Sequence, residues 1–157
     1  MRLTTLTLVA SFAAGAAFAN PVAPADVVFT EDGAVEASLT GAPGNADAGF
    51  DVFSNKKKGN CVACHNIEAR TDLTFPGNVG PILDGVGENR SVAELRGILV
   101  NSKMTFEGTV MPAYYKVDGF TRPGDAYTGK AAKGALDPLL SAAQIEDVIA
   151  FLSTLKE

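Results

Sequence analysis

The chain has 157 residues, 46% of them hydrophobic and 20% charged, with a formal net charge of −5 at pH 7. That length fits a single domain able to bury a sizeable core. The acidic balance argues against nucleic acid or an anionic membrane surface as a partner.

Residues 1–19 read as a secretory leader. Arg2 supplies the positive start, Leu3 to Ala14 the apolar run, and Ala17-Phe18-Ala19 a small-x-small cleavage site. The alternative, a membrane anchor, is disfavoured because the run is short and interrupted by Thr4, Thr5, Thr7, Ser11 and Gly15. Cleavage after Ala19 removes Arg2 and makes the exported chain one unit more acidic. No later stretch is long or apolar enough to span a membrane.

Residues 20–46 are expected to form an N-terminal arm packed on the domain that follows, residues 47–157. Pro21 and Pro24 open the arm, Val27-Val28-Phe29 reads as a short strand, and Gly41-Ala42-Pro43-Gly44 is turn punctuation. A first helix is predicted from about Asp47 to Lys57, capped by Asn45 or Asp47, with Phe50, Val52 and Phe53 on its apolar side. Lys56-Lys57-Lys58 would complement the helix dipole at its end. A docking patch for an acidic partner is the other reading of these lysines, and a solvated helix end is the preferred one.

Next comes Cys61-Val62-Ala63-Cys64-His65, which holds both cysteines and the single histidine of the chain. Cys-x-x-Cys-His is the attachment signature of c-type haem. Two thiols one turn apart can each form a thioether to the same porphyrin, and the following imidazole can then ligate the iron. A disulfide between Cys61 and Cys64 would close a very small loop and stabilise little. A thioredoxin-like pair wants a βαβ context that is missing, and tetrahedral zinc needs four ligands where the Cys and His inventory supplies three. With one histidine and both thiols committed, the other axial ligand must be methionine, a weaker donor such as lysine or tyrosine, or an outside ligand.

The loop Phe75-Pro76-Gly77-Asn78-Val79-Gly80-Pro81 follows. A ligating histidine needs its second ring nitrogen held by an acceptor, and the carbonyl of Pro81, on a stiff backbone, is the natural candidate. An ordinary turn is the alternative. A second helix opens at the capping box Ser91-x-x-Glu94, carries Val92, Leu95, Ile98 and Leu99 at helical spacing, and fades near Asn101.

Beyond the leader, Met104 and Met111 are the methionines. Pro112 biases Met111 toward an extended backbone, from which a thioether can reach inward, so Met111 is the expected distal ligand. Met104 is expected to pack in the core or the haem pocket. Tyr114 and Tyr115 are expected as pocket walls. Lys116 to Pro138 is a long polar loop, functional or mobile in kind. The last helix opens at a second capping box, Ser141-x-x-Gln144, with Ile145, Val148, Ile149, Leu152 and Leu155 as its stripe.

The fold class expected is mainly α. An N-terminal helix crossing a C-terminal helix over a covalent haem resembles the class I cytochrome c arrangement. The runs Ser38 to Gly44, Gly59-Asn60-Cys61-Val62-Ala63-Cys64-His65, Gly77 to Pro81, Met111-Pro112-Ala113-Tyr114-Tyr115 and Glu146 to Leu152 together resemble the SoxX cytochromes. These are the monohaem subunits of the periplasmic SoxAX complex, an L-cysteine S-thiosulfotransferase. The resemblance implies a heterodimer with a SoxA-like catalytic haem subunit, where thiosulfate is joined oxidatively to a cysteine of the SoxYZ carrier. It also implies that this chain accepts the electrons on one haem c, ligated by His65 and Met111, and passes them to a small cytochrome c. A free-standing periplasmic shuttle cytochrome is the competing reading, and a haem-based gas sensor is disfavoured by Met111.

Overall fold

The structure is a computed structural model and describes residues 20–124 and 128–156. The expected leader lies outside the described residues. Those residues form four helices: α1 (Ala46–Ser54), the single turn α2 (Val86–Asn89), α3 (Val92–Asn101) and α4 (Ala142–Leu152). The only β-pairing among them is an isolated antiparallel bridge between Gly124 and Ala131. No helix among them is long and apolar enough to cross a membrane.

Local chemistry sets where α3 and α4 begin. Both sequence-predicted capping boxes are complete: the Ser91 and Ser141 hydroxyls accept from the N–H groups of Glu94 and Gln144, whose side chains accept from the cap N–H in return. Helix α4 stops at Leu152, one turn before Leu155, which still packs on the core. Helix α1 is shorter than predicted. Asn45 caps it, accepting from the Ala48 N–H at 2.9 Å, and it ends at Ser54. Lys56, Lys57 and Lys58 therefore sit in the following turn, where Lys58 pairs with Asp51 on the surface. An exposed pair of this kind contributes little.

Helices α1 and α4 cross in close contact. A methyl group on Gly49 would stand 2.0 Å from the carbonyl oxygen of Asp147, so the two backbones meet where a side chain cannot fit. Beside this crossing, the Phe50 and Phe53 rings lie 5.3 and 5.4 Å from that of Phe151 in tilted arrangements. Burying such a ring stabilises by roughly 1.5–3 kcal/mol. Val52, Leu95, Leu99, Ile145, Val148 and Ile149 complete the same core.

Residues 20–46 lie on this core, but not as a strand. Val27–Phe29 pair with no strand among the described residues, and the regular element nearby is a 3₁₀ turn at Pro24–Asp26. What holds the segment is a polar network. The Arg96 guanidinium donates to both carboxylate oxygens of Glu146, at 2.8 and 3.1 Å, and to the Val35 carbonyl at 2.8 Å. The Leu39 N–H donates to Glu146 Oε1 at 2.8 Å. Arg96 and Glu146 are only 4% and 5% exposed, and Leu39 and Val35 are buried beside them. One ion pair thus joins the arm, α3 and α4.

Candidate haem site

The Cys-x-x-Cys-His segment begins with a left-handed turn at Asn60 (φ 49°), a conformation that asparagine tolerates better than most residues. A 3₁₀ turn over Cys61–Ala63 follows, and the His65 N–H closes onto the Cys61 carbonyl at 2.9 Å. This tight winding brings Cys61, Cys64 and His65 to the wall of one cavity of about 310 Å³. Phe53, Leu95, Leu99, Val148 and Leu152 supply its apolar lining from α1, α3 and α4. The helix crossing therefore forms one wall of the site.

The loop after the motif is stitched back onto it. The Gly77 and Gly80 N–H groups each donate at 2.8 Å, to the Val62 and Cys64 carbonyls, and the Leu83 N–H donates to the Asn66 carbonyl at 2.9 Å. The Pro81 carbonyl then lies 2.8 Å from His65 Nδ1. A carbonyl can only accept, so Nδ1 carries the proton and Nε2 is the nitrogen with a free lone pair.

Met111 is half-buried and lines the same cavity, from the segment after α3. The Tyr114 and Tyr115 N–H groups donate to the Leu99 and Val100 carbonyls, which docks this segment on the end of α3. Tyr114 lines the cavity, and its hydroxyl donates to the Gly59 carbonyl at 3.1 Å. Burial, and secondarily the nearness of Cys61, pushes its phenol well above the ordinary range.

Two residues sit differently from expectation. Tyr115 is no wall of the cavity: consecutive side chains diverge here, and its hydroxyl donates to the Val22 carbonyl in the arm at 2.7 Å. Met104 packs in neither core nor cavity. It is 49% exposed at the end of a 3₁₀ turn (Ser102–Met104) whose buried residue is Ser102.

Burial pushes the Cys61 thiol up to about 11, so it is protonated and neutral at neutral pH. Redox-active and metal-binding thiols sit where the thiolate is favoured. A neutral thioether suits this apolar wall. Cys61 and Cys64 are not bridged, and no group of three His, Cys, Asp or Glu among the described residues is arranged to hold a metal ion.

Sequence reasoning missed several lining residues, Arg90, Phe106 and Val110 among them. Arg90 pairs with Glu94 at 2.9 Å and lies 5.8 Å from the centre of the Phe106 ring. Its i,i+4 pairing reads in sequence as a surface helix contact, which conceals its place at the cavity. Phe106 and Val110 have no periodic pattern to announce them.

The geometry agrees with what comparison with known proteins finds. No curated protein matches the chain. The cytochrome c family matches residues 46–156. A chain of the crystal structure of SoxXA from P. pantotrophus is 60% identical, with a TM-score of 0.83, over 87% of this chain and 99% of that one. The c-type cytochrome SorU from Sinorhizobium meliloti matches at 20% identity and a TM-score of 0.43, over 71% of this chain and 90% of that one. On the family match and the 60% identity together, the chain belongs to the cytochrome c family, as one of its SoxX members.

Proposed function

We propose that the chain is the electron-transfer subunit of a SoxAX complex. The observation that carries this is its 60% identity to a SoxXA chain over 99% of that chain's length. Its cofactor is a covalently attached haem c, which supplies a one-electron couple. Cys61 and Cys64 are proposed as its thioether anchors. His65 offers Nε2 to the iron, with Pro81 holding the ring and its tautomer. Met111 would offer a thioether sulfur to the iron, and a histidine–methionine ligand set would raise the potential. Tyr114 and the apolar residues of α1, α3 and α4 exclude water, and Arg90 is a guanidinium suited to the carboxylates of the group.

The reaction served is the joining of a thiosulfate sulfur to a cysteine sulfur of the SoxYZ carrier on the SoxA subunit. Forming that S–S bond releases the thiol proton and two electrons. This chain takes the electrons one at a time and passes them to a small cytochrome c. It is a non-catalytic subunit, because its histidine and both cysteines are committed to haem. In this reading residues 1–19 direct export to the periplasm and are removed after Ala19, residues 20–46 are an arm, and residues 47–157 are the haem domain. The supporting experiment is purification of the exported protein, with a denaturing gel stained for haem. A SoxA-like haem protein should copurify, and the Cys61→Ala, Cys64→Ala double variant should lose the stain. A lone, stable holoprotein would favour a free-standing shuttle instead.

A further inference from the structure

Around Met111 the backbone is held more tightly than the ligand reading requires. The chain leaves α3 through the 3₁₀ turn at Ser102–Met104, touches the cavity at Phe106 and lines it again from Thr109 through Met111. Ser102, 0% exposed, closes this excursion through its carbonyl and its hydroxyl. Its carbonyl accepts the N–H groups of Thr105 and Phe106 at 3.2 and 2.9 Å. Its hydroxyl donates to the Met111 carbonyl, nine positions on, at 2.9 Å. The Lys103 ammonium donates to the same carbonyl. The Met111 N–H donates to Thr109 Oγ1 at 3.2 Å, so both backbone polar groups of Met111 are engaged.

A buried hydroxyl must find an acceptor somewhere. For a serine at the end of a helix the local partner is a carbonyl one turn back. Ser102 reaches across to Met111 instead. Phe106 and Val110, carried by the same excursion, line the cavity, so release of this closure would loosen both the thioether and the apolar lip beside it.

We propose that Ser102, assisted by Lys103, is the positioning latch for Met111, and that it sets how readily an outside ligand displaces the Met111 thioether. The proposal rests on Met111 being the distal donor. A thioether is a soft ligand and oxidised iron a harder acid, so the bond is weak. Its persistence then depends on how strongly the backbone behind it resists moving. Removing the Ser102 hydroxyl takes away one of the two donors to the Met111 carbonyl, which corresponds to roughly a fivefold change in the displacement equilibrium.

The test is titration of the oxidised holoprotein with imidazole at fixed pH, following loss of the sulfur-to-iron absorption band. Ser102→Ala should keep the band without imidazole and bind imidazole roughly fivefold more tightly. Lys103→Ala, an exposed change, should shift binding in the same direction by less. Ile145→Val, a fully buried change that does not line the cavity, should leave it unaltered. Wild-type affinity in Ser102→Ala overturns the latch. So does an equal shift in Ile145→Val, because the effect would then be general softening. If Ser102→Ala does not accumulate, unchanged affinity in Lys103→Ala overturns it. Met111→Ala separates the two claims: a band that persists there refutes the ligand assignment itself, whatever Ser102 does.

Discussion

Gly80 stands close against the imidazole of His65: a methyl group there would lie 2.3 Å from Cε1 and 2.6 Å from Nδ1. The next residue, Pro81, places its carbonyl 2.8 Å from the same Nδ1. One residue clears the space for the ring and its neighbour sets the tautomer. Gly80→Ala should therefore push the ring off Pro81, at a cost of about 1–3 kcal/mol for a clash of this kind. The expected result is a lower thermal midpoint and a lower yield of haem-stained protein. A variant that matches wild type in both would mean the loop gives way freely.

Met111 and Met104 should respond in opposite ways. Met111→Ala should abolish the sulfur-to-iron band and lower the reduction potential, since it replaces a thioether by a vacant site or a weaker donor. Met104 is half exposed and outside the cavity, so Met104→Ala should leave the spectrum and the potential in place. Loss of the band in the Met104 variant alone would reverse the assignment.

The Arg96–Glu146 pair should behave as a structural knot. Taking out one partner leaves a buried charge uncompensated, which costs about 3–5 kcal/mol. Arg96→Met should thus lower the denaturation midpoint sharply, and should also loosen the arm, which depends on Arg96 through Val35 and on Glu146 through Leu39. The Arg96→Met, Glu146→Leu double variant should recover much of the midpoint. Limited proteolysis of residues 20–46 reads the arm separately. A midpoint unchanged in Arg96→Met would show that the pair is not what joins the three elements.

What could be read from sequence here was what local chemistry dictates. Ser91 with Glu94 and Ser141 with Gln144 are self-contained capping boxes, so both helix starts were legible. The Cys-x-x-Cys-His spacing likewise brings its three side chains to one cavity with no help from distant residues. Contacts between distant positions were not legible. Arg96 and Glu146 are fifty positions apart, and each alone looks like a solvated residue on an amphipathic helix. Val27–Phe29 has the composition of a strand, but a strand needs a neighbour that only the tertiary fold could supply. Tyr114 and Tyr115 look equivalent in sequence; one faces the cavity and the other the arm.

Tyr114 gives the pH dependence a sign. Burial holds its phenol above the ordinary value near 10, so the folded state keeps a proton that the unfolded chain loses. Stability from this group is complete below about pH 10 and falls as pH rises toward the folded value. The Cys61 contribution to the shift vanishes once that sulfur is a thioether, but burial is the larger cause and stays. Tyr114→Phe should flatten the decline above about pH 10, while costing about 1 kcal/mol at neutral pH through the lost bond to Gly59. Denaturant midpoints across that range check it, and a variant declining as steeply as wild type would contradict it.

Electron acceptance by this chain is tested by following the absorbance of its haem after thiosulfate is added. The oxidised subunit is examined alone, with its SoxA-like partner, and with both partner and SoxYZ carrier. Reduction is expected when partner and carrier are both present, with electrons then passing to an added small cytochrome c. Reduction at the same rate by the subunit and thiosulfate alone, or no reduction in the complete mixture, would contradict it.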